Sequence, residues 1–168
     1  MSEETLRRQL YDAFANRAHI YHLLLCQLRS ELDAERAAEL IGRALYQRGA
    51  QKAPRYAAFA PGDLEGLKQA FLDDLPDGGA MFAPEVVRCD AEALDVKFHR
   101  CPLKQAWLDA GLPEEEVATL CRVAAQVDSG LFEAAGFSPG FEARRWPRPA
   151  ACPARRRPRA SCRRRSCV

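Results

Sequence analysis

Apolar side chains at the start of the chain recur with the three-and-four spacing of an amphipathic helix. Across TLRRQLYDAFANRAHIYHLLLCQLRSEL they fall at Leu6, Leu10, Phe14, Tyr21, Leu24, Leu25 and Leu28, which predicts one long first helix. Asp33 then offers an N-cap, since its carboxylate can accept from the free N–H groups of the next turn. AERAAELIGRALYQRG follows, with Ala37, Leu40, Ile41, Ala44 and Leu45 on one side and Gly49 as its expected end. These two helices should pack antiparallel or nearly so. Asp63 caps a third, LEGLKQAFLDDL, through Leu64, Leu67, Phe71 and Leu75, and Pro76, Asp77, Gly78 and Gly79 stop it.

The period then drops to two. In EVVRCDAEALDVKFHR, Leu94, Val96 and Phe98 share one face while Asp95, Lys97 and His99 share the other, predicting a β-hairpin that turns near Asp90–Ala93. Pro102 cannot continue a central strand, so the backbone is expected to bend at Cys101. LKQAWLDAG forms a helix ending on Gly111, with Trp107 as a core anchor. Pro113 followed by Glu114, Glu115 and Glu116 starts the next, because proline pre-sets φ and acids favour the positive end of the helix dipole. That helix is read to about Ala135. The fold class is α+β: N-terminal helices, then a small antiparallel sheet packed against two later helices.

The last helix carries an anomaly on its apolar stripe. Cys121 and Asp128 lie seven residues apart and point the same way as Val117, Ala124, Leu131 and Ala135. Desolvation disfavours a carboxylate, so an acid on such a face either braces its neighbours through hydrogen bonds or serves a site that tunes its proton affinity. Cys101 and Cys121 have the alternative of acting as small packing residues. His99 can be a solvent-facing strand residue, and His19 and His22 read as surface or packing histidines. Cys26 and Cys89 show no evident ligand spacing. A metal on His99, Cys101, Cys121 and Asp128 is not expected, because structural zinc sites announce themselves by two close ligand pairs. No cofactor is expected either: no glycine-rich phosphate cradle precedes a helix.

Length and charge narrow the class. At 168 residues the chain holds a core without staples, and its seven cysteines read as reduced thiols of a cytoplasmic protein. No apolar run reaches the roughly 20 residues that span a bilayer, and MSEETLRRQL does not resemble an export signal, so no membrane partner is expected. The net charge of +2 averages two unlike segments. Residues 144–168 hold ten arginines and no Lys, Asp or Glu; removing those ten from the 25 Lys+Arg leaves 15 against 23 Asp+Glu, net −8, for residues 1–143.

FHRCPLKQAW, then GLPEE, then TLCRVAAQVDSGLFEAAGF, form an ordered set: CP, LC, D and F in one block from Phe98 to Phe137. This block resembles the signature of the L-2-amino-thiazoline-4-carboxylic acid hydrolase family, a bacterial group, with the likeness covering about residues 10–145. The resemblance implies helices before a small antiparallel sheet and hydrolysis of a cyclic isothiourea, opening a thiazoline ring to N-carbamoyl-cysteine. Under it, Asp128 would stabilise the amidinium or activate water, and Cys101 would attack as thiolate or orient the ring. His99, two residues from Cys101, would lower the thiol pKa if strand geometry persists. Cys121 would line the site, and Lys97, Arg100 or Arg122 would bind the substrate carboxylate. A small-molecule sensor with the same thiol-lined pocket is the alternative.

The tail departs from the family pattern. Instead of a further strand, a Gly-Asp turn and a cysteine-bearing strand, it reads FEARRWPRPAACPARRRPRASCRRRSCV, and only Phe141–Trp146 could start a strand. Domain 1–146 is therefore read as the hydrolase-like unit and 147–168 as a disordered tail. Arg, Pro, Ala, Cys and Ser are what GC-rich codons yield out of frame, so a frameshift near Trp146 accounts for it. Cys152 takes no role. As a genuine arm, its arginines would bind nucleic-acid backbones, which is a lesser alternative without interleaved aromatics. Oligomeric state is not legible.

Overall fold

The computed structural model describes residues 2–139. Six α-helices and one hairpin follow in the order α1 (Glu3–Arg29), α2 (Ala34–Ala50), α3 (Leu64–Asp73), β1 (Pro84–Cys89), β2 (Leu94–Phe98), α4 (Pro102–Asp109), α5 (Glu114–Ala124) and α6 (Gln126–Ala135). Short 3₁₀ turns at Ala53–Arg55, Ala57–Phe59 and Pro76–Gly79 join them. The α+β class holds, mostly helical, with a two-stranded antiparallel sheet packed against helices. The expected strand start at 141–146 and the expected disordered tail at 147–168 lie outside the described residues.

Local chemistry sets most boundaries. Asp33 accepts a hydrogen bond from the backbone N–H of Arg36 and Asp63 from that of Gly66, both at 2.9 Å, so the two expected caps are in place. Ser2 adds a third, at the start of α1. The hairpin turns where the alternation predicted it: the Asp90 carboxylate accepts from Glu92 and Ala93 N–H, and Asp90 N–H donates to the Ala93 carbonyl. A register shift between Val86 and Arg88 marks a bulge in β1.

Three sequence expectations are revised. Gly49 does not end α2, which runs on to Ala50; it is small because α6 crosses there. A Cβ on Gly49 would stand 1.9 Å from the Val127 carbonyl oxygen, and one on Gly130 would stand 2.0 Å from that of Tyr46. On α1, Leu6 and Leu24 face outward, each 49% exposed, while Ala18 and Leu25 are fully buried. The apolar stripe is thus narrower than spacing suggested, because α4 covers one line of the helix, and α1 meets α4 more broadly than it meets α2. Finally, the helix read from Pro113 to Ala135 is two, broken at Ala125.

Two apolar clusters result. One joins α1, α2, α4 and α5 around Trp107, Leu25 and Leu120, with Trp107 Nε1 donating to the Ala18 carbonyl at 2.8 Å. The other joins α3, α6 and the 3₁₀ turns around Tyr56, Leu67 and Leu131. The sheet enters this second cluster through Leu94. Phe98 packs edge-on against Phe71 of α3 and against Phe82, and Phe71 in turn packs against Phe132 of α6. The helix beneath the sheet is therefore α3, with α6 behind it.

Candidate functional site

The backbone bends at Cys101 as Pro102 requires, and Cys101 takes the N-cap position of α4 with extended φ −144°, ψ 113°. The buried Trp107 holds α4 on α1 and so fixes this corner. From α5, Cys121 reaches the same region: both thiols are half-buried, and both are unoxidised. Burial pushes the Cys121 thiol up to about 11, with Cys101 adding to the effect and Lys104 opposing it. A neutral thiol at Cys121 beside Cys101 gives a small polarizable surface with one donor, suited to a ring sulfur or an apolar ring face.

Asp128 occupies the first turn of α6, beyond the break at Ala125. Burial pushes its carboxyl up to about 6, and nearby Lys52 only partly offsets this. Among the described residues its carboxylate accepts no hydrogen bond and forms no ion pair, so the bracing reading of Asp128 finds no support there. Such an acid is divided between protonated and ionised forms close to neutrality, as proton transfer requires. The break at Ala125 puts it on a different helix from Cys121.

The remaining candidates sit elsewhere. β2 stops at Phe98, so strand geometry does not carry His99 onto the face of Cys101. The His99 imidazole lies on the outer side of the hairpin, with Nε2 2.6 Å from Glu85 Oε2; Lys97 Nζ is 3.7 Å from the same oxygen. His99, then Lys97, hold the Glu85 carboxyl below its ordinary value. Arg100 is exposed, its N–H donating to the Phe82 carbonyl. Arg122 is exposed too and lines an open groove of about 510 Å³ with Glu35, Glu39, Arg43, Tyr46 and Gln126. The structure thus joins Cys101 to Cys121, joins His99 to Lys97, and sets Asp128 beside Lys52.

Lys52 and Lys104 were missed in the sequence. Lys104 is three residues into a helix begun by Cys101, a spacing that could have drawn attention to it, whereas Lys52 meets Asp128 only because α6 crosses the end of α2. Cys26 shows no ligand spacing to another cysteine, yet His22 and Cys26 are four apart on α1. With Glu116 they form the only group of three or more metal-ligating side chains among the described residues, their ligand atoms all within 4.8 Å of one another. His99, Cys101, Cys121 and Asp128 form no such group among these residues.

The family model for L-2-amino-thiazoline-4-carboxylic acid hydrolase matches residues 13–140, from the middle of α1 to beyond α6. The chain belongs to that family. No curated protein and no solved structure matches it. The matched span contains both thiols, Asp128 and the whole hairpin. Among the described residues no helix is long and apolar enough to cross a membrane.

Proposed function

We propose that this chain hydrolyses a small cyclic amidine or isothiourea such as 2-amino-thiazoline-4-carboxylate, opening the ring to N-carbamoyl-cysteine. The family match over residues 13–140 carries the reading. The chemistry of the thiol corner and of Asp128 agrees with it. Protonated Asp128 gives its proton to the ring nitrogen, and the resulting carboxylate holds the amidinium, whose carbon becomes electrophilic. The Cys101 thiol gives its proton to the Asp128 carboxylate and adds to that carbon as thiolate, and Asp128 then supplies the proton that the departing sulfur takes. The ring carbon–sulfur bond then breaks, the departing sulfur takes a proton, and one water hydrolyses the enzyme-bound isothiourea, which releases Cys101 and leaves the carbamoyl group on the product. The net reaction consumes one water.

Cys121 lines the sulfur side of the ring. Of the cations considered for the substrate carboxylate, Lys97 faces Glu85 on the outer side of the hairpin and Arg122 lines a separate groove, so the carboxylate is assigned to Lys52, beside Asp128. His99, engaged with Glu85 on the outer side of the hairpin, takes no part in these steps. The test is turnover of 2-amino-thiazoline-4-carboxylate by the full chain and by the Asp128→Asn and Cys101→Ser variants, each checked for native circular dichroism. Loss of product with retained fold in both variants is expected. Unchanged turnover in both removes the assignment, and substrate binding without any product by the unaltered chain would make this a sensor.

A further inference from the structure

We propose that His22, Cys26 and Glu116 form a zinc site at the junction of α1 and α5, with one coordination position left for water or an external ligand. The site is distinct from the thiol corner and from Asp128, and it stands whether or not the hydrolase reading does. His22 and Cys26 are one helical turn apart on the same face of α1. Cys26 Sγ lies 3.3 Å from His22 Nε2, and Glu116 comes from the first turn of α5. Tetrahedral zinc, with bonds of about 2.0–2.3 Å, needs its ligand atoms about 3.3–3.8 Å apart. The histidine–cysteine edge already has that length. The other edges are at most 4.8 Å.

Zinc fits the donor set better than the hard cations. An imidazole, a thiolate and a carboxylate combine N, S and O, whereas calcium and magnesium take oxygen alone. Arg29 completes the arrangement. Its Nη1 donates to both oxygens of Glu116, at 2.8 and 2.7 Å, and so aims the carboxylate. A carboxylate has about four lone-pair sites, so each oxygen keeps one for the metal, and the guanidinium acts as the outer hydrogen-bond partner that metal-ligating carboxylates usually have. The charges agree as well: a thiolate and a carboxylate together neutralise the divalent ion beside the Arg29 cation.

The site would staple the second half of α1 to α5. The experiment uses the reduced full chain. Titration with cobalt(II), then displacement by zinc, should show a thiolate-to-cobalt charge-transfer absorption saturating at one equivalent. His22→Ala and Cys26→Ser should each weaken binding at least about tenfold. Because cysteines elsewhere can also take metal, the deciding readout is alkylation of Cys26 followed by peptide mass spectrometry. Zinc should slow it in the unaltered chain and fail to slow it in His22→Ala. Equal alkylation of Cys26 with and without zinc, or a cobalt spectrum unchanged in Cys26→Ser, overturns the proposal.

Discussion

Asp128→Asn should make the protein more stable at neutral pH while abolishing turnover. The carboxyl rises from 3.8 to about 6 on folding, chiefly through burial. At about 1.4 kcal/mol per pH unit, the ionised form is disfavoured in the folded state by at most about 3 kcal/mol. The sign follows from proton uptake. Between the unfolded and folded values the folded chain holds the proton more often, so this group favours folding at low pH, and that contribution is lost as pH rises through about 6. Asparagine is neutral at every pH and nearly the same size. In urea unfolding, the variant should therefore gain on the unaltered chain by about 2 kcal/mol between roughly pH 4.5 and pH 7.5. A stability difference that does not change with pH would refute the reasoning, as would a variant less stable at pH 7.5, since either means that Lys52 or another partner stabilises the carboxylate more than burial penalises it.

Two further outcomes test the packing and the thiol. Gly49→Ala and Gly130→Ala would each drive a Cβ to within about 2 Å of a facing carbonyl oxygen, so each should cost about 3 kcal/mol or more, read as a drop in the urea midpoint; full retention would show that α2 and α6 do not cross so closely. The Cys121 thiol, pushed up to about 11, should alkylate slowly near pH 8 and gain about tenfold in rate per pH unit up to about pH 10, followed residue by residue by mass spectrometry; rapid modification at neutral pH would contradict its burial.

Much of the architecture is legible in the sequence. Asp33 and Asp63 cap because an aspartate needs only the N–H groups two or three residues on, and the Asp90 turn works the same way. Leu94, Val96 and Phe98 alternate because a strand places its side chains by geometry alone. The candidate site was half legible. The bend at Cys101 follows from Pro102, and the unusual acid at Asp128 was visible as a polar residue on an apolar face. A pairing of His99 with Cys101 needs strand geometry beyond Phe98, where β2 ends, and the imidazole instead hydrogen-bonds Glu85 across the hairpin. The break at Ala125 was not visible, because the apolar spacing continues through it from Val117 to Leu131.

Signals that act within one turn of helix or one pair of strands are written in neighbouring residues, and these carried the helices, caps, hairpin and family signature. Contacts between distant segments depend on which faces meet. Gly49 and Gly130 look like helix-weakening residues until α2 crosses α6, and Lys52 gains a partner only from that crossing. His22, Cys26 and Glu116 are a surface histidine, a spare thiol and a capping acid in the linear chain; they become a ligand set when α5 lands on α1. Desolvation, close packing and coordination are properties of the assembled neighbourhood, so they arise only where the folded chain brings these groups together.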